Sequence, residues 1–263
     1  NISGNSSGYG IEIGNFTDVT IQNFGNILNF SRGVNIDEGG HNAIVQNSTI
    51  NSTEGENAIF VAAADFLLNV STLDCNCTGD NVATIKFVNT TERATLEGNS
   101  IFSSGTHDII SFEASSGHIL DGNIIDALDG SAIDMNSTSD NHSIINNNIT
   151  ASENGIVVGG TSNYTNNNIT SSAASGFFGM LITGEGNRFE DNYFIAEDYA
   201  VQLGLNSSSV DNNQFYRNII TSNTDSVVYF GNSSDTSFVN DTLVKNSITA
   251  NEVEFFHGNH TFT

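Results

Sequence analysis

The feature that most constrains this chain is a short motif that returns at intervals of roughly 20 to 28 residues. In each copy an apolar residue usually precedes an asparagine by three positions, and another apolar residue follows the asparagine. A unit this short cannot bury a core by itself, so neighbouring copies must stack on one another. The aligned asparagines are Asn99, Asn123, Asn148, Asn168, Asn192, Asn218 and Asn246.

Between the asparagines, short stretches alternate apolar and polar residues with a period of two. Such alternation, bounded by Gly, Asn or Ser, predicts half-buried strands. Residues 57–70 also fit an amphipathic helix, but their two halves fall in register with neighbouring repeats, and we therefore predict strand, turn and strand. The predicted strands begin near Gly10, Gly33, Asn57, Ala83, Asp108, Ser131, Gly155, Gly179, Tyr199, Ser226 and Val253.

Together, these patterns predict an all-β chain with a single domain over residues 1–263, folded as a right-handed parallel β-helix of about ten coils. We expect the asparagines to form a ladder at one turn of each coil, because asparagine tolerates left-handed backbone angles and its amide can bond its stacked neighbour. The sequence begins at Asn1 rather than Met, so we expect an excerpt of, or a product processed from, a longer chain.

The turns EGNSI, DGNII and NNNIT resemble those of right-handed parallel β-helix repeat proteins, and the resemblance covers most of the chain. Within that group the chain looks most like surface-layer, sheath and filament proteins of archaeal type. The group also includes polysaccharide lyases and hydrolases, viral tailspikes and adhesins. The resemblance therefore implies the fold, whereas function has to be argued from sites.

The charge balance disfavours several partners. The formal net charge is −24 with only six Lys plus Arg, which predicts no nucleic-acid partner and no anionic membrane partner. No stretch approaches the roughly 18 apolar residues of a membrane span. We predict no cofactor, and calcium is the one ion considered, without a location, because acids cluster near Asp37, Glu185, Glu190 and Asp198 but form no recognised calcium loop.

No catalytic residue is predicted. The tripeptide Asn223-Thr224-Asp225 resembles the NTD element of polygalacturonases, but the paired-aspartate, GHG and RIK elements of that family are missing from the following coils. Inverting hydrolysis needs two carboxyl groups roughly 6.5–9.5 Å apart. We therefore expect the chain not to be an enzyme, and two carboxylates facing each other in a surface groove would revive that alternative.

Cys75 and Cys77 are the only cysteines. Residues i and i+2 of a strand share a face but lie about 6.5–7 Å apart, so a bridge between them needs a tight turn. We favour a disulfide over free thiols, and a structural zinc site would need more ligands. His257 and His260 have ligand-like spacing, but a strand would place their rings on opposite faces, so no metal site is predicted.

The strongest functional signal is the count of Asn-x-Ser/Thr triplets, about eighteen, roughly twice what this composition would produce by chance. We predict dense N-glycosylation at turns outside the ladder. Asn148 and Asn168 also begin such triplets, but as predicted ladder residues they are set aside as poor acceptors. The candidates are Asn5, Asn15, Asn29, Asn51, Asn76, Asn89, Asn136, Asn141, Asn163, Asn206, Asn232 and Asn240.

These features favour an extracellular structural protein of the cell surface, a glycosylated subunit of a surface layer, sheath or filament. Neither end shows a capping helix or a blocking loop, which predicts self-association into a polymer or lattice by end-to-end stacking of coils. Two alternatives stay open. One is a polysaccharide-degrading enzyme of pectate lyase or polygalacturonase type, and the other is a carbohydrate-binding adhesin with exposed aromatic rows.

Overall fold

The computed structural model describes residues 1–4, 7–53, 56–63, 65–77, 82–89, 93–172, 176–204, 210–231, 233–245, 253–255 and 260–263. Every regular element within these ranges is a β-strand. The strands form three long parallel sheets of eleven strands each, and the chain passes through sheets A, B and C in that order. The predicted right-handed parallel β-helix is confirmed.

The strands of the three sheets are short, and successive strands of one sheet come from successive coils. Sheet A contains Ile2–Ser3, Ile27–Leu28, Thr49–Thr53, Thr72–Asn76, Ser100–Thr106, Ile124–Asp129, Asn148–Ala151, Asn168–Ser171, Tyr193–Ala196, Ile219–Ser222 and Thr242–Lys245. Sheet B contains Tyr9–Ile13, Arg32–Ile36, Asn57–Val61, Ala83–Val88, Asp108–Glu113, Ile133–Met135, Ile156–Val158, Phe178–Ile182, Tyr199–Leu203, Val228–Phe230 and Val253–Phe255. Sheet C contains Thr20–Gln22, Ile44–Gln46, Leu67–Asn69, Thr95–Glu97, Ile119–Asp121, His142–Ile145, Ser162–Thr165, Arg188–Glu190, Gln214–Tyr216, Thr236–Val239 and His260–Phe262. Strands Val210–Asp211 and Ser233–Ser234 form a separate pair.

The period of two builds the core, because equivalent positions of successive coils lie about 4.8 Å apart and stack like on like. In sheet A, Ile125, Ile149 and Ile169 pair in register and are fully buried. In sheet C, Phe189 and Phe215 stack with ring centroids 4.5 Å apart. Side chains facing this continuous core exclude water along the solenoid.

The predicted strands correspond to sheet B, one for each of its eleven strands. Residues 57–70 contain the strands Asn57–Val61 and Leu67–Asn69, which confirms the strand-turn-strand prediction. Both strands of this segment pair in register with the preceding and the following coil, which excludes the helical interpretation.

The asparagine ladder lies in the two-residue turns from sheet C to sheet A. The first turn residue has a positive φ, such as 63° at Gly98, and the second points inward. The amide of Asn99 donates to Asn123 Oδ1 at 2.9 Å and to the Leu68 carbonyl at 3.0 Å. This pattern repeats along the turns, so each buried amide is paired. The ladder consists of Asn99, Asn123, Asn147, Asn167, Asn192, Asn218 and a terminal Asp241.

The prediction that Asn148 and Asn168 belong to the ladder is wrong by one residue, because the ladder residues in these two turns are Asn147 and Asn167. Ile149 faces the core, and side chains two positions apart lie on the same face, so the ladder residue is Asn147. Asn148, one position away, therefore faces outward. Asn148 and Asn168 are exposed first residues of strands, where the Asn168 amide donates to Asn148 Oδ1 at 2.9 Å.

The ladder place predicted for Asn246 belongs to Asp241, and Asn246 itself lies outside the described residues. Leu243 pairs with Ile220 inside sheet A, so the turn comes earlier than the motif alignment placed it. The Asn218 amide donates to Asp241 Oδ1 at 2.8 Å. An aspartate can end the ladder because its last member needs to accept hydrogen bonds but not to donate them.

Candidate active site

The outer face of sheet B carries a row of polar side chains that are buried or half-buried. Lys86, Ser111 and Asp134 are register neighbours on three consecutive strands, and they project outward because alternate residues face the core. Lys86 is 8% exposed and Ser111 is 7% exposed, so this face is recessed. We call this recess the sheet B groove, defined by Lys86, Asp108, Ser111, Glu113, Asp134 and Glu153.

Asp108 has the most altered acidity in the groove. Burial, together with the negative charge of Asp134, raises the pKa of Asp108 to about 6. The backbone N–H of Ser131 donates to Asp108 Oδ1 at 3.1 Å and opposes that rise in pKa only in part. A carboxyl group in this state holds its proton at mildly acidic pH and can donate it.

Two further carboxyl groups of the groove also have raised pKa values. Burial, and then the charge of Glu113, raises the pKa of Asp134. Burial, and then the charge of Asp108, raises the pKa of Glu153. Glu113 itself forms an ion pair with Lys86, with Nζ and Oε1 2.9 Å apart. The groove therefore combines carboxyl groups of raised pKa with an ion-paired carboxylate, a pattern typical of functional sites.

The sequence analysis missed this group because its acids come from separate coils. Asp108 and Asp134 lie on adjacent strands of sheet B, where Asp134 pairs with Ser111, three residues after Asp108. Only the stacking of coils brings the charge of Asp134 close enough to raise the pKa of Asp108. A usable signal was present, since aligning the predicted strands ATIKF, DIISF and SAIDM puts Lys86, Ser111 and Asp134 in one row. Glycosidic hydrolysis requires a proton donor and a second carboxyl group, and the groove contains both residue types.

Aromatic side chains continue the same outer face, farther along the solenoid. The rings of Phe178 and Tyr199 lie 5.5 Å apart and those of Tyr199 and Tyr229 lie 5.6 Å apart, and all three are half-buried. We call these three residues the aromatic patch. Two to four coil spacings of about 4.8 Å separate the strands of the patch from the strand of Asp134.

The tripeptide Asn223-Thr224-Asp225 is not brought into the sheet B groove. It lies in a turn between sheets A and B, where the N–H of Ser226 donates to Asp225 Oδ1 at 2.7 Å. Burial raises the pKa of the neighbouring Asp198, with Asp225 adding a smaller contribution. This turn is several coils away from Asp108.

The acids considered for calcium near Glu190 are engaged by arginines. Arg217 contacts Glu190 at 2.7 Å and Asp191 at 2.6 Å, and Arg188 contacts Glu190 at 2.9 Å. Hydrogen bonds from Arg188, first, and Arg217 lower the pKa of Glu190. These carboxylates already have positively charged partners, which compete with any cation.

Cys75 and Cys77 are buried with their sulfur atoms in bonding contact, and their Cα atoms lie 5.0 Å apart, inside the range of disulfides. His107 lies beside them, so that three ligand atoms fall within 4.8 Å of one another. The sequence analysis, which predicted no metal site, did not find this group. His257 lies outside the described residues, and the ring of His260 packs on Phe230 at 3.9 Å.

The structure places most of the predicted glycosylation acceptors at the surface. Asn5, Asn206 and Asn232 lie outside the described residues, and Asn29 and Asn51 are half-buried. Asn148 and Asn168, set aside as ladder residues, are in fact exposed and rejoin the acceptor set. The exposed candidates are Asn15, Asn76, Asn89, Asn136, Asn141, Asn163 and Asn240. Within the described part of the chain there is no helix long and apolar enough to cross a membrane.

Comparison with known proteins gives likenesses of fold. The full-length tailspike protein 2 of Escherichia coli O157:H7 bacteriophage CAB120 superposes with a TM-score of 0.67 at 9% identity, covering 93% of this chain. This chain spans 38% of that tailspike. The A-modules of two mannuronan C-5 epimerases from Azotobacter vinelandii superpose with TM-scores of 0.42 and 0.41 at 11% and 10% identity, covering 97% and 98% of this chain and 90% of each module. No protein-family model and no curated protein matches the sequence.

The prediction that the chain is not an enzyme is wrong. It rested on the lack of an assembled group of acids, and the structure places Asp108 and Asp134 on adjacent strands of a recessed face. The likeness to the tailspike shows the fold alone, and this fold does not argue against catalysis. What the comparisons show of this chain is that it is a parallel β-helix repeat protein.

Proposed function

We propose that this chain is a glycan-acting enzyme that hydrolyses a neutral polysaccharide bound along the sheet B groove. The observation that supports this most directly is that Asp108 and Asp134 lie on adjacent strands of sheet B, and that burial and the charge of Asp134 raise the pKa of Asp108 to about 6. Acid-catalysed cleavage of a glycosidic bond needs a carboxyl group that is still protonated under working conditions.

In this proposal Asp108 donates its proton to the glycosidic oxygen while the C–O bond breaks. Asp134 is the second carboxyl group, which activates the attacking water or attacks the sugar carbon itself. Lys86 holds Glu113 through its 2.9 Å ion pair and places a positive charge beside the acids. The aromatic patch of Phe178, Tyr199 and Tyr229 stacks on sugar rings farther along the same face.

The charge of the chain favours a neutral glycan over a uronic acid polymer. With a formal net charge of −24 and a groove lined by acids, long-range repulsion slows the approach of any polyanion. A neutral polysaccharide has no such repulsion, and its hydroxyl groups donate hydrogen bonds to carboxylates.

The test is the release of new reducing ends from a panel of neutral polysaccharides at pH 5 to 6. We expect release by the wild-type chain, no release by the double variant Asp108→Asn/Asp134→Asn, and wild-type release by Asp126→Asn, a control on the exposed outer face of sheet A. Equal release by the double variant, or no release from any polysaccharide, would contradict the proposal. Release of unsaturated ends from a uronate polymer would point to a lyase instead.

The tailspike likeness supports a secreted or cell-surface location, which we propose together with N-linked glycans on the exposed acceptors. A second function, as a self-associating subunit of a surface layer, sheath or filament, is favoured by the number of exposed acceptors. We propose neither a nucleic-acid partner nor a membrane span, and calcium remains an unlocalised ligand. Electron microscopy and intact mass of native material test the polymer and the glycans, and a calcium-dependent thermal shift tests the ion.

A further inference from the structure

The corner of the solenoid that leads into Asp108 consists of a single residue. Strand Ser100–Thr106 of sheet A ends directly before His107, and strand Asp108–Glu113 of sheet B begins directly after it. In the next coil three residues, 130–132, connect the equivalent strands. A corner of one residue has little conformational freedom, so the position of His107 determines where the backbone of Asp108 enters the sheet B groove.

The ring of His107 is held in the interior by three neighbours. The residue is 7% exposed, and its Nε2 lies 3.3 Å from Thr84 Oγ1 and 3.3 Å from Ser103 Oγ. The ring also forms a hydrogen bond with the backbone of Cys77, which directly follows a sheet A strand of the preceding coil. His107 therefore links Asp108 to Cys77.

Two glycines show how closely the backbone packs around this link. A Cβ atom at Gly105 would lie 2.5 Å from the Cys77 carbonyl oxygen and 2.8 Å from His107 Nδ1. A Cβ atom at Gly130 would clash with the His107 carbonyl oxygen and would lie 3.2 Å from the backbone nitrogen of Asp108. Because an interior this dense has no free space to absorb a shift, a displacement of Cys77 is passed on to Asp108.

The disulfide to Cys75 fixes the position of Cys77. The two Cα atoms lie 5.0 Å apart, whereas residues i and i+2 of an extended strand lie about 6.5–7 Å apart. Without the bridge the chain can extend here, which moves the Cys77 carbonyl away from the ring of His107. A bridge between residues two positions apart closes a very short loop, so it restricts the unfolded chain less than a long-range bridge does. Its main effect is therefore on local geometry.

We propose that the Cys75–Cys77 disulfide is a positioning element of the sheet B groove, which holds His107 and, through it, the proton donor Asp108. This inference rests on the function proposed above, because that function assigns the proton transfer to Asp108. Neither cysteine nor His107 touches the substrate in this arrangement. All three are buried behind the outer face on which the polysaccharide lies.

The influence of His107 on Asp108 is positional. Burial lowers the pKa of His107, against smaller opposite effects of the hydrogen bond with Cys77 and of the charge of Asp74, so the ring is neutral at pH 7. Burial is also the largest cause of the raised pKa of Asp108, and burial depends on where the backbone lies. The other charged groups near Asp108 are Asp134, Glu153 and Asp129 of the following coils, and the ion pair of Lys86 with Glu113.

The experiment is an NMR titration of the Asp108 carboxyl carbon in the full chain, together with the pH profile of glycan hydrolysis. The double variant Cys75→Ser/Cys77→Ser lacks the bridge and should fold, since Ser52 and Ser103 occupy the same inward row as Cys75. We expect the pKa of Asp108 to fall from about 6 towards 3.8, because the released corner admits water. The alkaline limb of the kcat profile should move to lower pH, and kcat should fall by about 10–10²-fold.

Variants of His107 test the link itself. His107→Leu removes the ring nitrogens and should lower the pKa of Asp108 as the double variant does. His107→Gln keeps an amide donor for the Cys77 carbonyl and should stay close to the wild-type chain. Adding His107→Leu to the double variant should have no further effect, since both changes break one series of contacts. His41→Leu, at an exposed histidine, is the control and should leave the pKa of Asp108 unchanged.

Circular dichroism shows which variants are folded. A folded double variant with the wild-type pKa at Asp108 would overturn the proposal and make the disulfide a purely structural bond. If the double variant does not fold, His107→Leu and His107→Gln decide, and equal pKa values of Asp108 in these two would overturn the link. The titration needs no substrate, so a lowered pKa in a protein whose wild-type chain hydrolyses no polysaccharide would reject the proposed function while supporting the positioning of Asp108.

Discussion

The asparagine ladder and the sheet B groove both hold polar side chains away from solvent, but with opposite consequences. In the ladder the amide of Asn147 donates to Asn167 Oδ1 at 3.1 Å and to the Leu120 carbonyl at 2.9 Å. In the groove burial, and then the charge of Asp134, raises the pKa of Asp108, and the hydrogen bond from the Ser131 N–H opposes that rise only in part. Complete pairing turns polar burial into stability, whereas incomplete pairing destabilises the charged form and makes it reactive.

The largest expected effect concerns the groove alone. Asp108→Asn removes the proposed proton donor and should lower kcat on the hydrolysed glycan by about 10²–10⁴-fold. Chemical denaturation at pH 8 should show an unchanged or slightly higher free energy of unfolding, because the variant no longer buries a charge. A loss of stability together with activity would place Asp108 with the ladder, as a structural residue.

The ladder should respond in the opposite way. Asn147→Ala removes the acceptor of the buried Asn123 amide and the donor to the buried Leu120 carbonyl. The loss of both hydrogen bonds should lower the free energy of unfolding by about 2–4 kcal/mol. Its matched control is Asn148→Ala, one residue away and exposed, which should change that free energy by less than about 0.5 kcal/mol. Urea denaturation of unglycosylated protein measures both, and equal effects would refute the assignment of the ladder register.

A pH titration sharpens the same contrast. Burial lowers the pKa of His118 to about 3 and of His142 to about 4. Below about pH 6.5 these histidines bind protons in the unfolded chain but stay neutral in the folded chain. The free energy of unfolding therefore decreases by about 1.4 kcal/mol for each histidine with every unit by which the pH is lowered. Asp108 has the opposite sign, because its raised pKa makes the folded chain bind a proton more tightly between about pH 4 and 6.

His142→Asn isolates the histidine contribution to that titration. Asn187 and Asn213 occupy equivalent buried places in later coils, so asparagine should be accepted there. We expect the slope of the free energy of unfolding against pH between pH 6.5 and 4 to decrease by the contribution of one histidine, about 1.4 kcal/mol per unit. An unchanged slope in thermal or urea unfolding would show that His142 does not contribute to the acid sensitivity.

The smallest expected effect concerns substrate binding on the outer face of sheet B. Tyr199→Ala removes the central ring of the aromatic patch and should raise KM by roughly 2–10-fold with kcat nearly unchanged, because stacking stabilises the bound substrate and the transition state alike. Phe102→Ala, which alters an outward residue of sheet A, is the control. A fall in kcat at constant KM would place Tyr199 in the chemistry.

The ladder also shows how far the sequence could be interpreted. The repeated turn was evident from its spacing, and Asn99, Asn123, Asn192 and Asn218 lie where the motif placed them. In NNNIT three neighbouring asparagines fit the motif equally well, and only the inward Ile149 decides which of them is buried. The three have different roles: the first takes a left-handed φ of 57°, the second is the rung and the third begins a strand.

By itself, the sequence determined the solenoid, because its period and its alternation are local patterns that permit one way of burying apolar side chains. Only the tertiary structure decided which polar residues meet. Asp108 and Asp134, or Cys77 and His107, come from different coils, and they become neighbours through strand register and turn length. Those quantities depend on how whole coils stack, and no short stretch of sequence contains them.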